Sequence, residues 1–180
     1  MTAEPPGEIV YSAEQIASRA RELGRQISAD YQGREVLLVG VLNGAFIWAA
    51  DLVRALTVPV LVEFVRAASY GQSSSSSGQV RLSKDVELSV AGRHVLLVED
   101  IVDSGRTLAR LRELFLARGV ASLRVCALLD KRERRAVEVE VEYPGFVVEH
   151  GFLVGYGLDY AEQYRRYPAI YQLSEDKLRS

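Results

Sequence analysis

The 180-residue sequence predicts an α/β fold, a doubly wound, mainly parallel sheet with helices on both faces. Three observations carry this. Continuous apolar runs rich in β-branched residues recur along the chain, as in strands covered on both faces. Two of them lead through a tight polar loop into a helical stretch, the order a parallel sheet requires. The composition, 48% hydrophobic and 26% charged, fits one core, and no internal repeat points to a solenoid or array. A single domain over residues 1–180 is therefore expected.

Ser12 followed by Gln15 makes a capping box, and Ile16, Ala20, Leu23, Ile27 and Tyr31 then recur at helical spacing up to Gly33. Val36 to Leu42 reads as a strand that Asn43-Gly44 breaks before a helix over Phe46 to Leu56. Val58 to Val65 is the next strand. Ser69 to Gly78 (SYGQSSSSSG) is too polar and too low in complexity to pack, which predicts a mobile loop at about 69–80. The chain resumes through Gln79 to Val86. His94 to Val98 is a strand, Glu99 to Arg106 a loop, and Thr107 to Arg118 a helix ended by Gly119. Leu123 to Leu129 is a further apolar strand. Val137 to Tyr143 alternates valine with glutamate as a half-exposed strand does, and Val147 to Tyr156 has room for short strands. In such a sheet the loops after Leu42, Val98 and Leu129 converge beyond the carboxyl ends of the strands, where ligands bind.

A net charge of −2 gives no broad attraction for nucleic acid or anionic membrane, so any anion site must be local. No apolar stretch reaches the roughly 18 residues that span a bilayer, and Met1 to Gly7 lacks a signal-peptide pattern. The lone Cys126 lies in an apolar run and packs as a small hydrophobe; a cytoplasmic protein is expected. His94 and His150 form no ligand cluster, and Trp48 reads as core. No glycine-rich G-x-G-x-x-G turn follows a strand, which argues against a dinucleotide-binding dehydrogenase.

The informative segment is Val95 to Leu108, VLLVEDIVDSGRTL. An apolar strand ends in two adjacent acids, a third acid follows, and Ser-Gly-Arg-Thr opens a helix. The backbone N–H groups of Ser104, Gly105, Arg106 and Thr107 would point at one spot, where helix dipole and hydroxyls favour a phosphate monoester and Gly105 permits close approach. Glu99 and Asp100 sit one loop away, placed to accept from vicinal ribose hydroxyls or to hold a hydrated Mg²⁺. A helix start decorated with acidic caps is the plainer reading. Two carboxylates at an apolar strand end would repel, however, unless a cation or sugar joined them. Acids and phosphate cradle together describe a phosphorylated sugar.

This segment resembles the phosphoribosyl pyrophosphate signature of the type I phosphoribosyltransferases, and the chain as a whole resembles their hypoxanthine(-guanine) branch. The likeness extends to Val41 to Phe46, Ala68 to Gly71, Leu128 to Arg132 and Gly151 to Tyr160, in the same order. It implies that fold, with a small hood built from the chain-terminal segments. It also implies transfer of 5-phosphoribosyl from phosphoribosyl pyrophosphate to a 6-oxopurine, with Mg²⁺, by a homodimer or homotetramer. By the same resemblance Glu99 and Asp100 address the ribose hydroxyls and Mg²⁺, and Asp103, Ser104, Gly105, Arg106 and Thr107 hold the 5-phosphate. Asp103 is the expected general base near purine N7. Leu42, Asn43 and Gly44 form the pyrophosphate loop, with an often cis peptide, and Arg165 is directed at pyrophosphate. Relatives often carry a lysine or arginine where this chain has Asn43, which leaves more of that contact to backbone donors. Lys131 donates to the 6-oxo group, Phe152 stacks on the base, Leu153 meets the ring edge through its backbone, and Asp159 holds a second Mg²⁺. Ser69 and Tyr70 begin the loop that folds over the site. Two other readings stand beside this one: a transferase for xanthine or guanine only, and a nucleic-acid-binding regulator on the same fold.

Overall fold

A computed structural model describes residues 5–68 and 81–178. Ser69 and Tyr70, with the rest of the expected loop at 69–80, lie outside the described residues. The main sheet has six strands among those described, in the order β4-β3-β2-β5-β6-β7: Arg81–Lys84, Val60–Ala68, Val36–Val41, His94–Val102, Ser122–Lys131 and Tyr143–Val148. All neighbours are parallel except β3 and β4.

Every residue of β2 is buried because both faces of the strand are covered. Leu37 and Val39 pack with Leu108, Leu111 and Phe115 of α3 (Arg106–Ala117). Val36 and Leu38 pack with Ile16, Leu23 and Ile27 of α1 (Ala13–Asp30) and Trp48 and Leu52 of α2 (Phe46–Ala55). Alternate side chains of one strand thus feed two apolar layers, the physical content of double winding. The chain leaves β2 toward β3 on one side and later returns to place β5 on the other. That reversal opens a crevice at the carboxyl ends of β2 and β5.

A second sheet forms the hood. β1 (Gly7–Tyr11) pairs antiparallel with β9 (Ile170–Leu173), which pairs with β8 (Leu153–Val154). Leu153, Tyr156, Leu158 and Ile170 join the same apolar cluster as α1 and α2, so the hood is seated on the main sheet. A four-residue helix, α4 (Glu175–Leu178), follows.

Two expected elements differ from those observed. β5 runs on to Val102, so Glu99 and Asp100 lie on the strand and not in a loop; Ile101 and Val102 pair with Leu129 and Asp130 and carry the ladder past the acids. Val137 to Tyr143 is not a strand; β7 begins only at Tyr143. The alternation there reflects one-sided burial: Val139 and Val141 pack on the α3 layer while Glu138 and Glu140 are exposed. The adjoining hydrogen bonds are also not those of a ladder, since Ala136 and Val137 donate to Ser104 O at 3.0 and 3.1 Å.

Candidate active site

The strand-to-helix turn after β5 encloses a cavity of ≈ 120 Å³ lined by Glu99, Ile101, Val102, Asp103, Ser104, Gly105, Thr107 and Leu108. At roughly 30 Å³ per water, that is space for a few waters or one phosphoryl group. Gly105 is the helix N-cap with φ 79° and offers no capping side chain; Arg106 N donates only at 3.4 Å, to Ser104 Oγ, so the helix start holds little competition for an anionic ligand. A side chain at Gly105 would also strike the carbonyl oxygen of Val137. Both the dihedral and the space require glycine here.

Asp103 Oδ1 is buried and has no hydrogen-bond partner among the described residues, and Oδ2 lies 3.9 Å from the exposed guanidinium of Arg134. A buried carboxylate oxygen without a partner is costly unless a ligand or proton meets it, which suits the turn to a binding role. Glu99 is only 6% exposed. Burial, reinforced by the charge of Asp100, holds its carboxyl well above the ordinary range. Asp100 is pushed up to about 6, by burial first, against backbone N–H groups and Arg165, which pull it down.

The loop after β2 closes on these acids. The Leu42–Asn43 peptide is cis, and a side chain at Gly44 would collide with the Asp100 carboxylate. From the hood, a side chain at Gly157 would strike the Gly44 carbonyl. Arg165 donates to Gly157 O at 2.8 Å and pairs with Asp159 at 2.9 Å and Glu162 at 3.0 Å. Asp100 feels the charges of both Arg165 and Asp159. Arg166, next to Arg165 in the chain, lies over the ring of Tyr167 instead. Asn43, Gly44, Asp100, Asp159 and Arg165 therefore occupy one rim of the crevice.

Lys131 ends β6, is 7% exposed, and donates to Gly151 O at 2.8 Å. That bond sets its ammonium beside the segment carrying Phe152 and Leu153. Phe152 is 39% exposed, held edge-on to Tyr160 at 5.3 Å between ring centroids, with an aromatic face available for stacking. Leu153 is buried in β8, so its backbone and not its side chain is the part available.

Among the described residues no group of three His, Cys, Asp or Glu side chains could hold a metal unaided. The donors fit a different arrangement. Mg²⁺ keeps several waters and takes one or two carboxylates together with substrate phosphates. Glu99 and Asp100, adjacent and desolvated, have the chemistry that such a site uses.

Sequence reasoning missed two residues behind the turn. Arg135, 9% exposed in its side chain, pairs with the equally buried Asp130 and donates to the carbonyls of Val102, Asp103 and Lys131. The one signal was an acid at the end of an apolar strand, which needs a cation when buried.

The phosphoribosyl transferase domain profile matches residues 7–161. The hypoxanthine phosphoribosyltransferase of Salmonella typhimurium is 46% identical over 165 residues, 91% of this chain and 93% of that protein. The bifunctional protein TilS/HprT of Listeria monocytogenes is 45% identical over 163 residues, 91% of this chain. This chain spans 25% of that relative's length. The solved Trypanosoma cruzi hypoxanthine phosphoribosyl transferase superposes with a TM-score of 0.92 at 39% identity, covering 99% of this chain and 97% of that one.

Proposed function

This chain belongs to the phosphoribosyltransferase family, and from that premise we propose that it transfers 5-phosphoribosyl from phosphoribosyl pyrophosphate to hypoxanthine and guanine. The products are IMP or GMP and pyrophosphate, a purine-salvage reaction. The single observation carrying this reading is the turn after β5. There a buried carboxylate oxygen of Asp103, without a partner among the described residues, and a helix start whose N-cap is a glycine line one cavity with Glu99.

In the proposed mechanism, amides and hydroxyls from Ser104 to Thr107 seat the 5-phosphate, and Glu99 and Asp100 accept from the ribose hydroxyls. Backbone groups of Leu42, Asn43 and Gly44 and the guanidinium of Arg165 hold the pyrophosphate. Lys131 donates to the 6-oxo oxygen; an exocyclic amino group offers no comparable acceptor, which selects against adenine. Phe152 stacks on the base, with the Leu153 backbone at its edge. Purine N9 forms a bond to C1 as the bond from C1 to pyrophosphate breaks, the electron pair leaving with pyrophosphate and C1 inverting. Asp103 takes the purine proton at N7, and its charge stabilises the cationic sugar in the transition state. Mg²⁺, which we assign to Glu99, Asp100 and Asp159, supplies neutralisation of the departing charge when bound.

The lone buried Cys126 supports a reducing, cytoplasmic setting, and no helix of the described residues is long and apolar enough to cross a membrane. A homodimer or homotetramer is the assembly we propose. The test of the function is a product balance: hypoxanthine and phosphoribosyl pyrophosphate should yield IMP and pyrophosphate one for one. Pyrophosphate without IMP would make the protein a hydrolase and overturn the reading.

A further inference from the structure

The geometry points to Arg135 as the positioning residue that aims the phosphate cradle, an inference that rests on the transferase reading above. Three consecutive carbonyls of the turn are engaged from behind by one short segment. Arg135 donates to Val102 O at 3.1 Å through Nη2 and to Asp103 O at 3.0 Å through Nε. The backbone amides of Ala136 and Val137 both donate to Ser104 O. In a trans peptide the carbonyl and the following N–H point opposite ways. Among the described residues the one cis bond is Leu42–Asn43, so these peptides are trans. Fixing the carbonyls of Val102, Asp103 and Ser104 to this floor turns the N–H groups of Asp103, Ser104 and Gly105 to the other side. Asp103, Ser104 and Gly105 all line the cavity, and that is the side we assign to these N–H groups.

The floor is tight as well as polar, since the Val137 carbonyl sits against the Gly105 α-carbon. Arg135 is itself held. Asp130, buried at the end of β6, takes Nη2, and the same nitrogen reaches Lys131 O at 3.1 Å. The planar fork thus fixes the turn to the strand end that carries Lys131, a geometry an ammonium could not reproduce. Lys131 has independent support, because its strand pairs with Val148 and its ammonium holds Gly151 O. Loss of the guanidinium should therefore loosen the phosphate cradle far more than the purine contact.

The test is steady-state kinetics on Arg135→Met, Arg135→Lys and the double variant Arg135→Met/Asp130→Asn, which leaves no buried charge unpaired should the single variant fail to fold. Thermal melts check that each is folded. With a wild type that turns over, the expected result for Arg135→Met and the double variant is a KM for phosphoribosyl pyrophosphate raised at least about tenfold. KM for hypoxanthine should stay within about threefold, and Arg135→Lys should recover little. An unchanged KM for phosphoribosyl pyrophosphate in a folded variant overturns the proposal and leaves the transferase standing. Both KM values rising together, or full recovery with lysine, overturns it too, since the residue would then be general scaffold or simple charge. A wild type without turnover overturns the transferase reading itself and this inference with it.

Discussion

Asp103 carries one buried oxygen with no partner among the described residues, and that oxygen is where the chemistry is proposed to act. Asp103→Asn keeps shape and removes basicity. It should lower kcat by about 10²- to 10⁴-fold while the dissociation constant for phosphoribosyl pyrophosphate changes less than about threefold. Single-turnover kinetics with calorimetric binding separates the two, and equal turnover removes Asp103 from the role of base. Lys131 was legible only through resemblance, because an isolated lysine is ordinarily exposed, and its burial follows from a ladder that runs to the end of β6. Cys126 behaves as the apolar run implied: burial pushes its thiol from 9.0 to about 12. The sign follows from linkage. Because the folded value is the higher, the thiol's contribution is whole below pH 9.0, where the unfolded thiol begins to ionise, and is lost as pH rises toward about 12. Denaturant titrations at pH 8 and 10.5 should show a larger fall for wild type than for Cys126→Ala; the same fall in both contradicts this.

The capping box of α1 was fully readable, and both halves exist: Gln15 N donates to Ser12 Oγ at 3.3 Å and Ser12 N to Gln15 Oε1 at 2.8 Å. Ser12→Ala should cost about 1 kcal/mol in unfolding free energy and leave the rate unchanged, since Ser12 is none of the residues placed at the site above. Gly105→Ala behaves in the opposite way. A methyl at φ 79° facing the Val137 carbonyl should cost about 1–3 kcal/mol and also raise KM for phosphoribosyl pyrophosphate, readable from melts and kinetics together. Pattern reading was sound for burial and weaker for ladders. Val139 and Val141 face the core as their alternation implied, yet their backbone joins no strand, because period 2 records which side is buried and not who the hydrogen-bond partner is. Glu99 and Asp100 looked like loop residues for the converse reason: charged side chains ordinarily end a strand, and here the ladder continues because the residues after them, Ile101 and Val102, still pair with β6.

Over the whole molecule, the parallel order and the crevice at its reversal followed from runs of local sequence. The hood did not. β1 and β9 lie at opposite ends of the chain and pair as Gly7 with Leu173 through Tyr11 with Ile170, a contact that no local window contains. It was expected by resemblance alone, as were the roles of Phe152, Asp159 and Arg165 that the hood positions. Arg135 was missed for the same reason: its partners Val102 and Asp103 are more than thirty residues away and are backbone atoms, which leave no trace in side-chain pattern. In the proposed function the β5 turn seats a phosphorylated sugar while Lys131 reads an oxo group on the incoming base. The most direct measurement is a panel of initial rates with phosphoribosyl pyrophosphate and hypoxanthine, guanine, xanthine or adenine, each with Mg²⁺ and with a chelator. Hypoxanthine and guanine should turn over with Mg²⁺ alone and adenine not at all. Adenine as the fastest base, or no base consumed under any condition, would contradict the claim.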